Sequence, residues 1–201
     1  MTASYHLPPL VIGRRFPLSI SGASSMVNAL AFPESPKPSE IEGIEGIVQV
    51  FTAEHRGFNT SVVSQALRVA SQGTPTLLVQ FLKGGINQGP THPTEMGQNF
   101  KWVHCAIERH IDTDQIEPQE RAAIQELWEY TQQHVKEGRY GLVILDELSL
   151  AVNYGFIPET EVLQLLKERP SYVDVVLMGP QMPEGISALA DQWTVVRNTE
   201  R

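Results

Sequence analysis

The sequence predicts an α/β fold with a mostly parallel sheet of five or six strands and helices on both faces. Short apolar runs rich in β-branched residues alternate with longer segments whose apolar residues recur at helical spacing. The runs at 47–52 and 141–146 are apolar almost without interruption, as is typical of strands covered on both faces. We therefore expect these two runs to be central strands. Their carboxyl ends should bring Gly57 and Asp146 to the same edge of the sheet.

The elements follow one another in a regular alternation along the chain. The first strand is followed by a helix with apolar residues at helical spacing, which Gly73 ends. A loop rich in Gly, Pro and Asn runs from Lys83 to Asn99. The predicted strands are 47–52, 76–82, 100–105, 141–146, 172–178 and 192–197, and the predicted helices are 58–71, 118–137, 158–168 and about 184–190.

The first 46 residues differ in composition from the rest of the chain. They contain six of the 14 prolines and no acidic residue before Glu34. Dense prolines without helical or alternating periodicity predict a Pro-rich extension outside the sheet, with 33–46 as a linker. The alternative is an ordered arm that docks on a protein partner or on the domain. The domain itself is expected to span 47–201.

Composition restricts the classes of function. The chain has 15 Lys and Arg residues against 23 Asp and Glu, a net charge of −8, and so lacks the basic surface that nucleic-acid binding requires. A single cysteine, Cys105, excludes an internal disulfide and a cysteine zinc finger, and it favours a cytoplasmic location. No stretch approaches 18 consecutive apolar residues, so no membrane span is expected.

Two carboxylates directly follow the strand at 141–146. Four apolar residues lead into Asp146 and Glu147. At this position in nucleotide-binding α/β proteins, one carboxylate holds Mg²⁺ or its water shell, and a second orients a proton or a hydroxyl group. Asp146 and Glu147 are therefore candidate catalytic residues, and Asp146 is the candidate magnesium ligand. The alternative is that Asp146 caps the turn or helix that follows its strand.

The turn between the first strand and the first helix lies where a phosphate loop would be found. Such loops follow the pattern G-x-x-x-x-G-K-[ST], in which backbone N–H groups, a lysine and a hydroxyl group bind phosphates and metal. In this register Thr52 stands at the first glycine and Gly57 matches the second, whereas Phe58 and Asn59 replace the lysine and the hydroxyl residue. The motif is not met.

These segments together resemble the ATP-dependent corrinoid adenosyltransferases of the bacterial cobalamin pathway. The most specific stretches are VQFLKG at 79–84, similar to V-Q-F-[IL]-K-G, and LVILDELSLAVNYGF at 142–156, similar to L-V-V-L-D-E-L-x-x-A-x-x-Y-G-[YF]. GFNTSVVSQALRVA at 57–70 aligns without gaps with G-K-T-T-A-A-x-G-x-A-x-R-A, and LAD at 189–191 matches the family's L-A-D. The resemblance extends from residue 47 to residue 197.

The resemblance implies a RecA-like P-loop NTPase fold and, usually, a homodimer. It implies transfer of the 5′-deoxyadenosyl group of ATP to Co(I) of a corrinoid with release of triphosphate, so that Mg²⁺, ATP and a corrinoid would bind. The nucleotide-binding loop would include Thr52, Arg56, Gly57 and Thr60, and further pocket candidates are Gln80 and Lys83.

The chain also departs from the family pattern. The family's G-N-G-K-G-K-T-T falls on 53–60, where two glycines, the lysine and one hydroxyl group are missing and Glu54 adds a negative charge. The aromatic G-F-x-W segment near the corrinoid falls on 107–110, which reads IERH, and T-G-R becomes MGP at 178–180. The closing R-P-V-K-H is replaced by the last residues of the chain, 196–201.

Three functions remain open at this stage. The first is a non-catalytic binding or regulatory homologue, a pseudoenzyme. The second is a working ATP:corrinoid adenosyltransferase in which Arg56 substitutes for the lost lysine. The third is a protein that binds a different anionic ligand in the same crevice. Because each lost charge-assisted contact costs about 1.5–3 kcal/mol, and because Glu54 facing a triphosphate would add repulsion, the sequence favours the first.

Overall fold

The computed structural model describes residues 45–57 and 60–196, which form one sheet with helices on both faces. The strands are β1 (Val48–Ala53), β2 (Thr76–Gln80), β3 (Thr94–Met96), β4 (Phe100–His104), β5 (Leu142–Asp146), β6 (Asp174–Met178) and β7 (Gln192–Val196). The helices are α1 (Thr60–Ser71), α2 (Pro118–Lys136), α3 (Leu148–Asn153), α4 (Glu159–Glu168) and α5 (Glu184–Ser187).

The sheet is mostly parallel, as predicted. Its strand order is β3-β4-β2-β5-β6-β1-β7. All neighbouring pairs are parallel except β3 and β4, which run antiparallel. β5 lies at the centre, as expected from its apolar run, and all five of its residues are buried.

Two details of the predicted sheet are wrong. The sheet has seven strands rather than five or six, because β3 lies within the predicted loop at 83–99. This strand has three residues, two of them exposed, and so carries no apolar pattern. In addition, β1 is not central but lies next to the edge strand β7. Only Val48 and Val50 of the six residues of β1 are buried. Its apolar run therefore predicted neither full burial nor its position between β6 and β7.

The core consists of two hydrophobic clusters, one on each face of the sheet. More helices cover one cluster than the other. On one face α2, α3, α4 and α5 pack around fully buried side chains such as Trp128, Phe81 and Leu145. Each such side chain contributes about 1.5–3 kcal/mol by its burial. On the other face, α1 is the only described helix in the cluster, and it packs Val62 and Ala66 against the sheet.

The longest described helix, α2, shows how local sequence sets an element's limits. It begins at Pro118, and Glu117 with Glu120 forms a capping box in which the Glu117 N–H donates to Glu120 Oε2 at 2.9 Å. The helix ends before Gly138, whose φ of 61° suits the left-handed conformation after a helix. Within the described residues, no helix is both long and apolar enough to cross a membrane.

The predicted extension at 1–46 lies almost wholly outside the described residues. Its last residue, Gly46, is described and is packed against the segment before β6: its N–H donates to Ser171 O at 2.6 Å, and its carbonyl accepts from Arg169 Nη2 at 3.0 Å. A Cβ atom at Gly46 would lie 2.5 Å from the backbone of Val173. The packed part of the chain therefore begins no later than Gly46.

Candidate functional site

The carboxyl ends of three strands bring the predicted site residues to one edge of the sheet. β5 ends at Asp146, and β2 ends beside it at Gln80, its partner in register. The turn after β1 approaches from the same edge, so that Arg56 and Gly57 line one cleft with Asp146 and Glu147. Gly57 and Asp146 thus share an edge, as the parallel-sheet prediction required.

The guanidinium group of Arg56 lines the cleft and is also hydrogen-bonded to other groups of the protein. Its Nε and Nη2 donate to the two carboxylate oxygens of Glu147, the second at 2.7 Å. Nη1 donates to Ile111 O at 2.5 Å, and Nη2 also donates to Leu82 O at 3.0 Å. The hydrogen bond with Glu147 raises the pKa of Arg56 above its ordinary value, although burial acts in the opposite direction. The guanidinium therefore joins three segments of the chain.

Asp146 is held by the neighbouring strand β2 and the residues after it. Its Oδ2 accepts from Gln80 Nε2 at 2.5 Å and from Lys83 Nζ at 3.2 Å. Burial raises the pKa of Asp146 above its ordinary value, and the charge of Lys83 and the hydrogen bond from Gln80 oppose that rise. Lys83 Nζ also lies 3.6 Å from Glu147 Oε1, so this ammonium group bridges the two carboxylates.

The alternative interpretation of Asp146 is wrong. The capping role considered for Asp146 does not fit, because α3 has no side-chain cap and the Asp146 carboxylate accepts from Gln80 and Lys83 instead. Lys83 contacts the same carboxylate. Its side chain is only 20% exposed and is paired with Asp146.

Glu147 has an unusual backbone conformation for its residue type. Its φ of 63° and ψ of 19° place it in the left-handed region, which costs a non-glycine residue about 1–3 kcal/mol. The residue is only 1% exposed, and its carboxylate is bound to Arg56. The same turn connects β5 directly to α3, a helix of six residues that is too short to show helical periodicity in the sequence.

The other residues predicted for the phosphate loop lie at different places along the turn after β1. Thr52 lines the cleft, while Thr60 begins α1 and is exposed. Phe58 and Asn59 fall outside the described residues. Glu54 is exposed and is not among the residues that line the cleft.

The far wall of the cleft is formed by Met178, Gly179 and Pro180, the residues that align with the family's T-G-R. The Ser149 hydroxyl group donates to Pro180 O at 2.6 Å and so fixes this wall to α3. The cleft has a volume of about 30 Å³, whereas small-molecule sites usually occupy about 300–1,000 Å³. It is a narrow opening between charged groups.

With this geometry in place, comparison with known proteins identifies the family. Residues 44–201 match the family model described as ATP:corrinoid adenosyltransferase BtuR/CobO/CobP. The chain belongs to this family. The resemblance proposed from VQFLKG and LVILDELSLAVNYGF is thereby confirmed, and the sheet is the α/β architecture expected of this P-loop NTPase type.

Individual corrinoid adenosyltransferases show the extent of the similarity. The chain is 31% identical over 160 residues to the corrinoid adenosyltransferase of Escherichia coli strain K12, covering 76% of each chain. It is 29% identical to corrinoid adenosyltransferase CobA of Salmonella typhimurium, again over 76% of each chain. A corrinoid adenosyltransferase of a Sinorhizobium species is 27% identical, over 75% of this chain and 71% of the relative.

The segment that aligns with the adenosyltransferase G-F-x-W motif lies against the site. Arg56 binds the carbonyl of Ile111 just beyond it, and Gly85 N–H donates to Ile107 O at 2.9 Å. A Cβ atom at Gly84 would lie 2.5 Å from the carbonyl oxygens of Ile107 and Arg109, so this close approach requires glycine. The sequence indicated only Gly84, through the VQFLKG motif. The carbonyl acceptors could not be predicted, because every residue has a backbone carbonyl group.

Proposed function

We propose that this chain is a non-catalytic member of the corrinoid adenosyltransferase family that acts by binding. The main support is the environment of Arg56, the residue proposed to replace the family's phosphate-binding lysine. Its guanidinium donates to both oxygens of Glu147 and to the carbonyls of Leu82 and Ile111. To reach a polyphosphate, Arg56 would have to give up both hydrogen bonds to a carboxylate that is 1% exposed, and breaking a buried ion pair is strongly unfavourable.

The surroundings of the two carboxylates support the same proposal. Mg²⁺ in nucleotide sites is bound by one or two carboxylates together with phosphate oxygens and water. Here the ammonium group of Lys83 lies 3.2 Å from Asp146 Oδ2 and 3.6 Å from Glu147 Oε1. Burial raises the pKa of Asp146, which favours its neutral form and weakens it as a metal ligand. Mg²⁺ therefore does not fit this donor set without displacing the protein's own cations.

A second candidate function is adenosyl transfer itself. It is favoured by one observation: Gln80, Lys83, Asp146 and Glu147 form a connected polar group at the strand ends, in stretches that match the family pattern. In this alternative, the Arg56–Glu147 contact would open when ATP binds.

Calorimetry with Mg-ATP distinguishes the two candidates. We expect no saturable heat up to about 1 mM ligand, which corresponds to a binding free energy weaker than roughly −4 kcal/mol. An adenosylation assay with ATP and reduced corrinoid should likewise show no product, with the Escherichia coli relative as the reference protein. Micromolar Mg-ATP binding that Arg56→Ala abolishes would contradict the proposal and support the transferase. Binding of AMP or another anion without ATP binding would support the different-ligand function.

Restoring the loop provides a complementary test. Phe58→Lys with Asn59→Thr should gain less ATP affinity than the same pair combined with Ala53→Gly, Glu54→Asn and His55→Gly. The reason is that a lysine cannot act on a phosphate that the backbone cannot approach. Equal affinity for ATP in the two variants would contradict the idea that the altered backbone of the loop prevents ATP binding.

A further inference from the structure

The segment that joins β4 to α2 contains a short loop whose two ends are fixed. At one end, the Cys105 N–H donates to Gln80 O at 3.0 Å. At the other end, Asp112 O accepts from the Tyr154 hydroxyl group at 2.9 Å. We call the residues between these two points, 106–111, the strap. The strap has no helix or strand, and it contains the segment 107–110 that aligns with the adenosyltransferase G-F-x-W motif.

Between its ends, the strap is anchored by apolar side chains and by backbone hydrogen bonds. Ile107 and Ile111 are 3% and 0% exposed and belong to the core. The Gly85 N–H donates to Ile107 O at 2.9 Å, and the Ile111 N–H donates to Leu82 O at 3.0 Å. Both hydrogen bonds join the strap to the chain after β2. These two amide groups therefore exchange with solvent only when the strap separates from that part of the chain.

One guanidinium group joins the strap to the turn after β1 and to the end of β5. Arg56 Nη1 donates to Ile111 O, Nη2 donates to Leu82 O, and Nε and Nη2 donate to the carboxylate of Glu147. A guanidinium group is a rigid plane whose N–H groups have fixed directions. Because all of these hydrogen bonds belong to one plane, a movement that breaks those with Glu147 also breaks the one with the strap.

A neighbouring cation makes a second arrangement of these groups accessible. Lys83 Nζ lies 3.6 Å from Glu147 Oε1, so it remains beside this carboxylate when Arg56 moves away. The second arrangement loses hydrogen bonds and is less favourable than the one observed, but it does not leave the buried carboxylate without a counter-charge. It is therefore a minor state, of the kind that a ligand populates by binding to it.

We propose that Arg56 is a positioning residue that makes the strap and the turn after β1 open as one unit. In the closed arrangement, which the structure shows, the guanidinium group holds Ile111 O. In the open arrangement it has left Glu147, and the strap is released together with the turn. The coupling is reciprocal. A ligand that draws the guanidinium group into the cleft releases the strap, and a ligand that binds the closed strap strengthens the Arg56–Glu147 pair. This inference concerns how the site opens and holds whether or not ATP binds.

Hydrogen exchange of the full-length chain, followed by NMR at the amides of Ile111 and Gly85, tests the coupling. Glu147→Gln should speed exchange at both amides by the same factor, about tenfold or more, because Glu147 acts on the strap through Arg56. The matched control is Leu165→Ala, a substitution of a core residue of α4 that lowers the stability of the whole domain. It should leave both amides unchanged, because the strap opens without global unfolding. Equal acceleration in the two variants, or no acceleration in Glu147→Gln, overturns the inference.

A double-variant comparison tests whether the coupling passes through the guanidinium group. In Arg56→Met the strap has already lost this group, so adding Glu147→Gln should raise the exchange rate at Ile111 no further. If the two factors multiply instead, Glu147 acts on the strap by another route, and the role of Arg56 is overturned. Arg56→Lys keeps the charge but not the planar fork, so exchange at Ile111 should be as fast as in Arg56→Met. Slow exchange in Arg56→Lys means that charge alone holds the strap, which contradicts the inference.

Discussion

Two of the strand ends that form the site are built in different ways. At the end of β5, Asp146 and Glu147 are 2% and 1% exposed and contact residues from β2, the segment after it and the turn after β1. In the turn after β1, Glu54, His55 and Gly57 are exposed, and Arg56 supplies the contacts to Glu147. The two carboxylates of the site thus lie at the buried end of β5. Among the described residues of the turn, Arg56 carries the contacts to that strand end.

The largest expected effect follows from Glu147→Gln. This substitution leaves the partly buried Arg56 without its counter-charge, and we expect a loss of about 3 kcal/mol in the free energy of unfolding, measured by urea denaturation at pH 7. Adding Arg56→Met should recover part of the loss, because an apolar side chain needs no partner. Glu54→Gln in the exposed turn is the control and should change stability by less than about 0.5 kcal/mol. Equal losses at both glutamates would remove the distinction between the two regions.

A smaller effect on stability is expected from substituting glycines, and it should differ between Gly84 and Gly57. Gly84→Ala places a Cβ atom 2.5 Å from two backbone carbonyl oxygens of the 107–109 segment, so the chain must shift. We expect a loss of about 2 kcal/mol. Gly57→Ala meets no atom within 4 Å and should be nearly neutral. The comparison is made from thermal unfolding, and a larger loss at Gly57 would contradict the geometry of the turn.

The smallest effect concerns the pH dependence of stability. Since burial raises the pKa of Asp146, the folded state binds this proton more tightly than the unfolded state. This carboxyl group therefore lowers stability as pH rises from its ordinary pKa of 3.8 through its raised value. Asp146→Asn should remove this component, so that the variant gains stability relative to the native chain as pH increases across that range. If the stability difference between Asp146→Asn and the native chain stays constant with pH, the pKa of Asp146 is not raised by burial.

The sequence predicted those parts of the site that follow from local patterns. The apolar run ending at Asp146 located the buried carboxylates, and the parallel alternation placed Gly57 at their edge. The pairing of Arg56 with Glu147 could not be predicted, because it depends on how the turn folds over a neighbouring strand. The same is true of the carbonyl acceptors at Leu82 and Ile111. The short strand β3 and the position of β1 in the sheet are set by tertiary contacts rather than by an apolar pattern.

The burial of Cys105 has a practical consequence for measuring these effects. Its thiol is 0% exposed, and burial raises its pKa to about 12, so almost none of the reactive thiolate is present at neutral pH. Because the chain has a single cysteine, a thiol-specific reagent can modify the protein only when the core around β4 opens. The rate of labelling, compared with that of the denatured chain, therefore measures the free energy of opening in native buffer. Every variant without an added cysteine thus carries its own internal probe of stability.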